Sequence, residues 1–272
     1  MAYALHGKVA VVTGAGSGIG QALALLLAKR GCRLALADIN PEGLSETAAM
    51  LTSMPLLRTL DVSNRAAVEA FAAEVTAHYG AVHVVINNAG VTVTQPIAGL
   101  SYEDFEWLMG INFWGVVYGS KAFLPTLLAQ KEGVIVNISS VLGLVAAPSQ
   151  AAYCSAKFAV RGFTESLRQE IADSGVTALC VHPGGVKTNI VRSARFYETG
   201  TGSTDKERSV QNFDKFAMTS PEGAAEIIIR AIEKGSKRVL VGRDARFMDW
   251  LQRLMPASYG SLLLKIVRRS GD

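Results

Sequence analysis

Val9-Ala10-Val11-Val12 runs without interruption into Thr13-Gly14-Ala15-Gly16-Ser17-Gly18-Ile19-Gly20, and helical spacing then continues to Arg30 before Gly31. Four consecutive apolar, β-prone residues predict a strand buried on both faces, the kind found in a parallel sheet. Glycines in the following loop permit positive φ and let backbone amides at a helix N-terminus approach a phosphate. Leu34-Ala35-Leu36-Ala37 is a second buried-strand run and ends in Asp38. The stretch therefore reads as a βαβ unit. Ile19 stands where a strict G-x-G-x-x-G pattern would place its third glycine, so the flanking strand and helix carry more weight than the spacing.

The alternation persists along the chain. Periodicity predicts helices over about 41–53, 65–79, 102–130 and 153–174, and strands near 56–60, 82–87, 133–139, 178–182 and 238–241. Parallel strands need crossovers, so this pattern predicts an α/β fold with one seven-stranded parallel sheet and helices on both faces. We expect one domain over 1–243, followed by an extension over 244–272. Residues 189–219 show no clear period, and a stretch that long predicts a lid over the substrate. Ser220, Pro221 and Glu222 then mark a helix start.

Composition narrows the function classes. With 49% hydrophobic and 18% charged residues over 272 positions, the chain can build a large core and is not of a disordered type. The 27 basic and 23 acidic residues leave +4, with no basic stripe interleaved with aromatics, so no nucleic-acid partner is expected. The excess is concentrated late: ten basic and four acidic residues lie from Arg230 onward. Cys32, Cys154 and Cys180 form an odd set without C-x-x-C spacing, which predicts free thiols in a reducing compartment. His6, His78, His83 and His182 lack ligand spacing, so no metal is expected. No early apolar run approaches the roughly 20 residues that span a bilayer, and no charged leader precedes Val9, so the expected address is cytoplasmic.

Asp38 falls where the ribose of a dinucleotide would lie, and its carboxylate would accept from the 2′ and 3′ hydroxyls while repelling a 2′-phosphate. Ala15, Ser17, Ile39 and Asn40 occupy the places where a phosphate-binding base would be expected. The pattern favours NAD over NADP. Asp38 could also serve as N-cap for the helix at Pro41. Farther on, Tyr153 and Lys157 are four residues apart on a predicted helix and so share one face. An ammonium there can lower a phenol pKa, which must fall about three units from its ordinary value near 10 to work at neutral pH.

The loop from Thr13 to Gly20, Asn87-Asn88-Ala89-Gly90, Ser140, Tyr153 with Lys157, and Pro183-Gly184-Gly185 together resemble the short-chain dehydrogenase/reductase family, over about residues 7–242. The resemblance implies a Rossmann-type doubly wound domain. It implies Tyr153 as general acid/base, Lys157 as the group that lowers its pKa and binds the nicotinamide ribose, Ser140 as the holder of the reacting oxygen, and Asn112 as anchor of a proton-relaying water. For NAD it implies contacts from Gly14, Ser17, Gly18 and Ile19 at the pyrophosphate, Asp61 and Val62 at adenine, Asn88, Ala89 and Gly90 at the adenosine side, and Pro183, Gly184, Val186 and Thr188 at the carboxamide. Ser139 breaks the family spacing and is read as structural. Cys154 points away from Tyr153 and is read as packing.

Val93, Leu142, Leu144, Val145, Phe196 and Tyr197 give the expected substrate wall an apolar cast and suggest a hydrophobic secondary alcohol or ketone, while Arg192 and Arg195 could receive an anion. The resemblance also implies a homo-oligomer, dimer or tetramer, built on the long helices. In the extension, Phe247, Trp250, Leu251, Leu254 and Met255, then Leu262, Leu263, Leu264, Ile266 and Val267, alternate with Arg246, Arg253, Lys265, Arg268 and Arg269 around Pro256. That pattern predicts two short helices packed on the body or on another subunit, with a peripheral membrane contact as the alternative. Two rival functions stay open: an NADPH-dependent reductase of 3-oxoacyl thioesters, and a nucleotide-binding sensor without turnover.

Overall fold

The computed structural model describes residues 3–262. Its first half consists of β1 (Val9–Thr13), α1 (Gly18–Lys29), β2 (Arg33–Asp38), α2 (Pro41–Ala49), β3 (Leu56–Thr59), α3 (Arg65–Tyr79), β4 (Val84–Asn87), β5 (Val93–Thr94) and α4 (Tyr102–Met109). A π-helical turn, Gly110–Trp114, leads into α5 (Gly115–Gln130) and β6 (Gly133–Ile138). After a 3-10 turn at Val141–Gly143 come α6 (Ala151–Glu170), β7 (Val176–Pro183), β8 (Arg195–Phe196), α7 (Lys206–Phe216), α8 (Pro221–Glu233), β9 (Arg238–Val241) and α9 (Arg243–Leu254).

Seven strands form one parallel sheet in the order β3-β2-β1-β4-β6-β7-β9. β1, β4 and β6 are buried along their whole length, which is why they read as unbroken apolar runs. Leu23 and Leu27 of α1 pack with Ile228 and Ile232 of α8 on one face. Phe71, Phe123, Leu127 and Leu167 from α3, α5 and α6 fill the other. The chain order reverses between β1 and β4, and ligands of such sheets bind in the crevice at the C-terminal strand ends beside that switch point.

A polar network crosses the second layer. Asn87 Nδ2 donates to Asn137 Oδ1 at 2.8 Å and to Ser120 Oγ at 3.1 Å, and Asn137 Nδ2 donates to Thr164 Oγ1 at 3.0 Å. All four side chains are buried, so each bond satisfies a group whose desolvation would otherwise be costly. The network ties β4, α5, β6 and α6 together directly beneath the crevice.

Three details differ from expectation. The cap of α2 is Asn40, whose Oδ1 accepts from the Glu42 and Gly43 amides; Asp38 does not cap it. The predicted helix over 102–130 contains the π-helical turn midway. Residues 189–219 hold β8 and α7, and β8 pairs with β5 in a small parallel ribbon. No residue of α7 is buried, so its sequence has no core face to reveal.

The extension begins with α9, whose Ala245, Asp249 and Leu251 are buried. Arg238 of β9 grips Asp249 through both terminal nitrogens, at 2.5 and 3.2 Å. Phe247, Trp250 and Leu254 face outward. Helical structure resumes at Tyr259 after a turn at Pro256, and most of the second predicted helix lies outside the described residues. Among the described residues no helix is long and apolar enough to cross a membrane.

Candidate active site

The glycine loop is braced from three sides. Thr13 Oγ1 accepts from the Asn88 and Ala89 amides at 3.1 and 3.3 Å, and Asn88 Nδ2 donates to the carbonyls of Thr13 and Gly14. Thr47, buried on α2, donates to Ala15 O at 2.9 Å. Gly14 has φ +65°, and a Cβ there would lie 2.8 Å from Ala89 Cα, so only glycine lets the 88–90 turn lie against the loop. Ser17, the N-cap of α1, makes no side-chain cap bond, which leaves first-turn amides and the helix dipole for an anion.

Asp38 sits at the end of β2 beside that loop. Its Oδ2 accepts from Gly16 N at 2.8 Å and its Oδ1 from Asn40 N at 2.9 Å. Leu60 N bonds Asp38 O, which brings Asp61 and Val62 alongside. Asp61 Oδ1 is spent on the amide and hydroxyl of Ser63, and Val62 is buried. On the other flank, Val186 bridges Thr219, and a Cβ on Gly18 would stand 3.1 Å from Thr188 Cγ2. Ile19 packs on the core below. The residues expected at pyrophosphate, ribose, adenine and carboxamide thus lie at the ends of β1, β2, β3, β4 and β7 and on the loops that follow them, around the C-terminal end of the sheet. The unspent helix amides and close-packed glycines there fit a nicotinamide dinucleotide.

Tyr153 and Lys157 share the inner face of α6, as the four-residue spacing requires, with Lys157 Nζ 5.6 Å from the Tyr153 ring centroid. Ser140 lies beside the Tyr153 phenol and favours its ionised form. Ser140 caps the 3-10 turn by accepting from Leu142 N at 3.0 Å, which leaves its hydroxyl hydrogen available. Lys157 is buried and donates to Ile138 O at 2.8 Å. Gly90 lies against both Lys157 Nζ and Asn112 Oδ1. Asn112, in the π-helical turn, is fully buried and clasps both backbone groups of Val91 at 2.8 Å. Ser139 donates to Lys157 O and so fixes α6 to β6.

The electrostatics differ from the simple expectation of a phenol lowered by its lysine. In the chain by itself, burial pushes Tyr153 up to about 12 against the opposing pull of Ser140. Burial likewise drives Lys157 down to about 8. Behind Ser140, His182 holds the Ser140 carbonyl through Nδ1 at 3.1 Å, and burial lowers its pKa to about 4, so the imidazole is neutral.

Val93 is buried on β5 and Leu142 half-buried in the 3-10 turn, on the walls expected for substrate. Of the lid arginines, Arg192 pairs with Asp214 and Arg195 with Asp104. Among the described residues no His, Cys, Asp and Glu cluster could hold a metal. All three cysteines are free thiols and buried.

Several contributors escaped the sequence reading. Thr47, Asp104 and Asp244 act through contacts across large sequence separations, and nothing in their local pattern marks them. His182 left one signal, a histidine inside an apolar strand.

A family model described as short chain dehydrogenase matches residues 8–198. The SadH protein of Mycobacterium tuberculosis is 47% identical over 264 residues, covering 95% of this chain and 94% of SadH. The 3-oxoacyl-acyl-carrier-protein reductase FabG of Vibrio cholerae is 33% identical over 227 residues, covering 81% of this chain and 93% of FabG. Among solved structures, a short-chain dehydrogenase/reductase from Burkholderia phymatum in complex with NAD aligns with a TM-score of 0.86 at 30% identity, covering 95% of this chain and 97% of that one. With its doubly wound sheet, glycine crevice and Ser140, Tyr153 and Lys157 in one cluster, the chain belongs to the short-chain dehydrogenase/reductase family.

Proposed function

We propose that the protein transfers a hydride between NAD(H) and a hydrophobic secondary alcohol or ketone. The observation that carries this reading is the buried Lys157 one turn from Tyr153 on α6, with buried Ser140 beside the phenol, at the strand ends of the crevice. Bound NAD supplies a nicotinamide ring able to accept the hydride. The α1 amides hold its pyrophosphate, and Asp38 accepts from the adenine ribose. The second carboxylate oxygen of Asp61 and the Val62 amide serve adenine, the backbone of Asn88, Ala89 and Gly90 borders the adenosine side, and the 183–188 segment orients the carboxamide. In oxidation the Tyr153 side chain acts as phenolate, its Oη taking the proton of the substrate hydroxyl to become the neutral phenol. Ser140 donates its free hydrogen to the reacting oxygen. Lys157 spends one hydrogen on Ile138 O and keeps two for ribose hydroxyls, and its charge favours the phenolate that must be present before the proton is taken. Asn112 holds the turn through which a water passes protons to Lys157.

NAD is favoured because Asp38 faces Gly16 with no basic side chain at positions 15, 17, 39 or 40, and the Burkholderia relative is described with NAD. The likeness to FabG supports, more weakly, an NADPH-dependent reductase of 3-oxoacyl thioesters. A homo-oligomer, dimer or tetramer, in the cytoplasm completes the proposal, with exposed Trp114 of the π-helical turn before α5 and Phe158 of α6 as contact residues. The outer face of α9 is offered to the body of another copy or, as the alternative, to a membrane surface.

The test is a fluorescence titration with NADH and NADPH, followed by a spectrophotometric screen of aliphatic, alicyclic and steroid alcohols. Tighter NADH binding with turnover of a hydrophobic secondary alcohol upholds the reading. Tighter NADPH binding would put the acyl-thioester reductase first.

A further inference from the structure

We propose that the segment beginning at Arg243 is a working wall of the active site, in which Asp244 positions the strand end that meets the cofactor and Tyr259 positions the substrate loop. Both are positioning residues, and the proposal rests on the NAD-dependent reading given above. They lie outside the stretch 8–198 matched by the family model.

Asp244 is the second residue of α9, and its Oδ2 accepts from Gly185 N at 2.6 Å. A bond from an amide to a carboxylate is stronger than one between neutral groups. The approach is close enough that a Cβ on Gly184 or on Gly242 would overlap the Asp244 carboxylate. The neighbouring groups are also engaged: Gly184 N bonds Val241 O at 2.9 Å, Gly185 O accepts from Thr219 N at 3.3 Å, and Lys187 N bonds Thr219 O at 3.0 Å. The turn between β7 and Thr188 is thus held by Thr219 on one side and Asp244 on the other. Among the described residues, Asp244 holds it through a side chain.

The same extension reaches the opposite wall. Tyr259 Oη accepts from Ala146 N at 3.0 Å, in the loop that follows the 3-10 turn capped by Ser140. A rigid mount makes both contacts possible, because the Arg238–Asp249 pair and buried Ala245 and Leu251 fix α9 to β9. One short segment therefore touches both the cofactor side and the substrate side of the reacting centre.

The test uses the full chain and three variants, Asp244→Ala, Asp244→Asn and Tyr259→Phe. It reads NADH affinity by fluorescence, and amide hydrogen exchange in peptides containing Gly185 or Ala146 without cofactor. Asp244→Ala should weaken NADH binding about tenfold and speed exchange at Gly185, whereas Asp244→Asn, which keeps an acceptor, should lose less than about threefold. Tyr259→Phe should speed exchange at Ala146 and leave NADH affinity within about twofold. If Asp244→Ala does not fold, Asp244→Ser, with a shorter reach, takes its place with the same expectation. Wild-type NADH affinity in the Ala or Ser variant overturns the proposal, as do equal losses in Ala and Asn variants with unchanged exchange at Gly185. Failure of the wild-type chain to bind NADH would instead sink the functional reading, and this proposal with it.

Discussion

Arg195 on the lid donates to the carboxylate of Asp104 on α4 at 2.7 Å, across 91 residues of sequence. Its guanidinium carbon also stands 3.6 Å from the centroid of the Trp107 ring. Burial would raise the Asp104 pKa, but Arg195, with the Tyr197 hydroxyl nearby, outweighs it and holds the carboxyl below its ordinary range. The β5–β8 ribbon and this ion pair are the moorings of the lid. Asp104→Ala should therefore loosen residues 189–219 and raise KM for the alcohol about five- to tenfold with a smaller change in kcat. Steady-state kinetics with limited proteolysis of the lid checks this, and unchanged KM with an intact lid would count against it.

Tyr153→Phe keeps the ring and removes the hydroxyl. Turnover should fall by about 10²–10⁴-fold, the usual worth of a positioned acid/base, while NADH affinity stays within about threefold. Full activity in this variant would remove Tyr153 from the mechanism.

Asp38 has two duties, holding Gly16 N and facing the ribose, and two substitutions separate them. Asp38→Asn keeps an acceptor for Gly16 and removes the charge that repels a 2′-phosphate. Asp38→Ala removes both. The ratio of NADPH to NADH dissociation constants should fall about tenfold in Asn, and absolute NADH affinity should drop further in Ala. An unchanged ratio in both would end the selectivity argument.

His182 makes stability depend on acidity. Its folded pKa, lowered by burial to about 4, lies below the unfolded value of 6.5, so the unfolded chain takes up the proton first as pH falls. The contribution is complete above about pH 6.5 and is lost as pH falls toward 4, amounting to about 2 kcal/mol at pH 5. His182→Asn, which can still donate to the Ser140 carbonyl, should show a correspondingly smaller difference between urea unfolding at pH 7.5 and pH 5. Identical differences in the two proteins would refute the assignment.

Buried strands and the glycine loop were legible because their signals are local. An apolar run such as residues 9–12 has few other homes, and Tyr153 with Lys157 carries its geometry in its spacing. Helix α7 was not legible, since a helix with no buried residue needs no apolar face. The Arg195–Asp104 and Asp244–Gly185 contacts were hidden for a different reason: each joins segments that only the completed sheet brings together. The same holds for the electrostatics of Tyr153, where spacing shows a nearby ammonium but not the burial that opposes it. Asp38 was half legible, its place at the strand end evident and its bond to Gly16 not.

The π-helical turn at Gly110–Trp114 adds one residue to what would otherwise be a regular turn of helix. That residue sets the phase of everything after it. Removing one residue there would let α4 and α5 join as a regular helix and rotate the face of α5 by about 100°. Gly119, which lies against Asn87, and Ser120, which accepts its hydrogen bond, would turn away from β4 together. The chain should therefore tolerate substitutions in this turn far better than a change in its length.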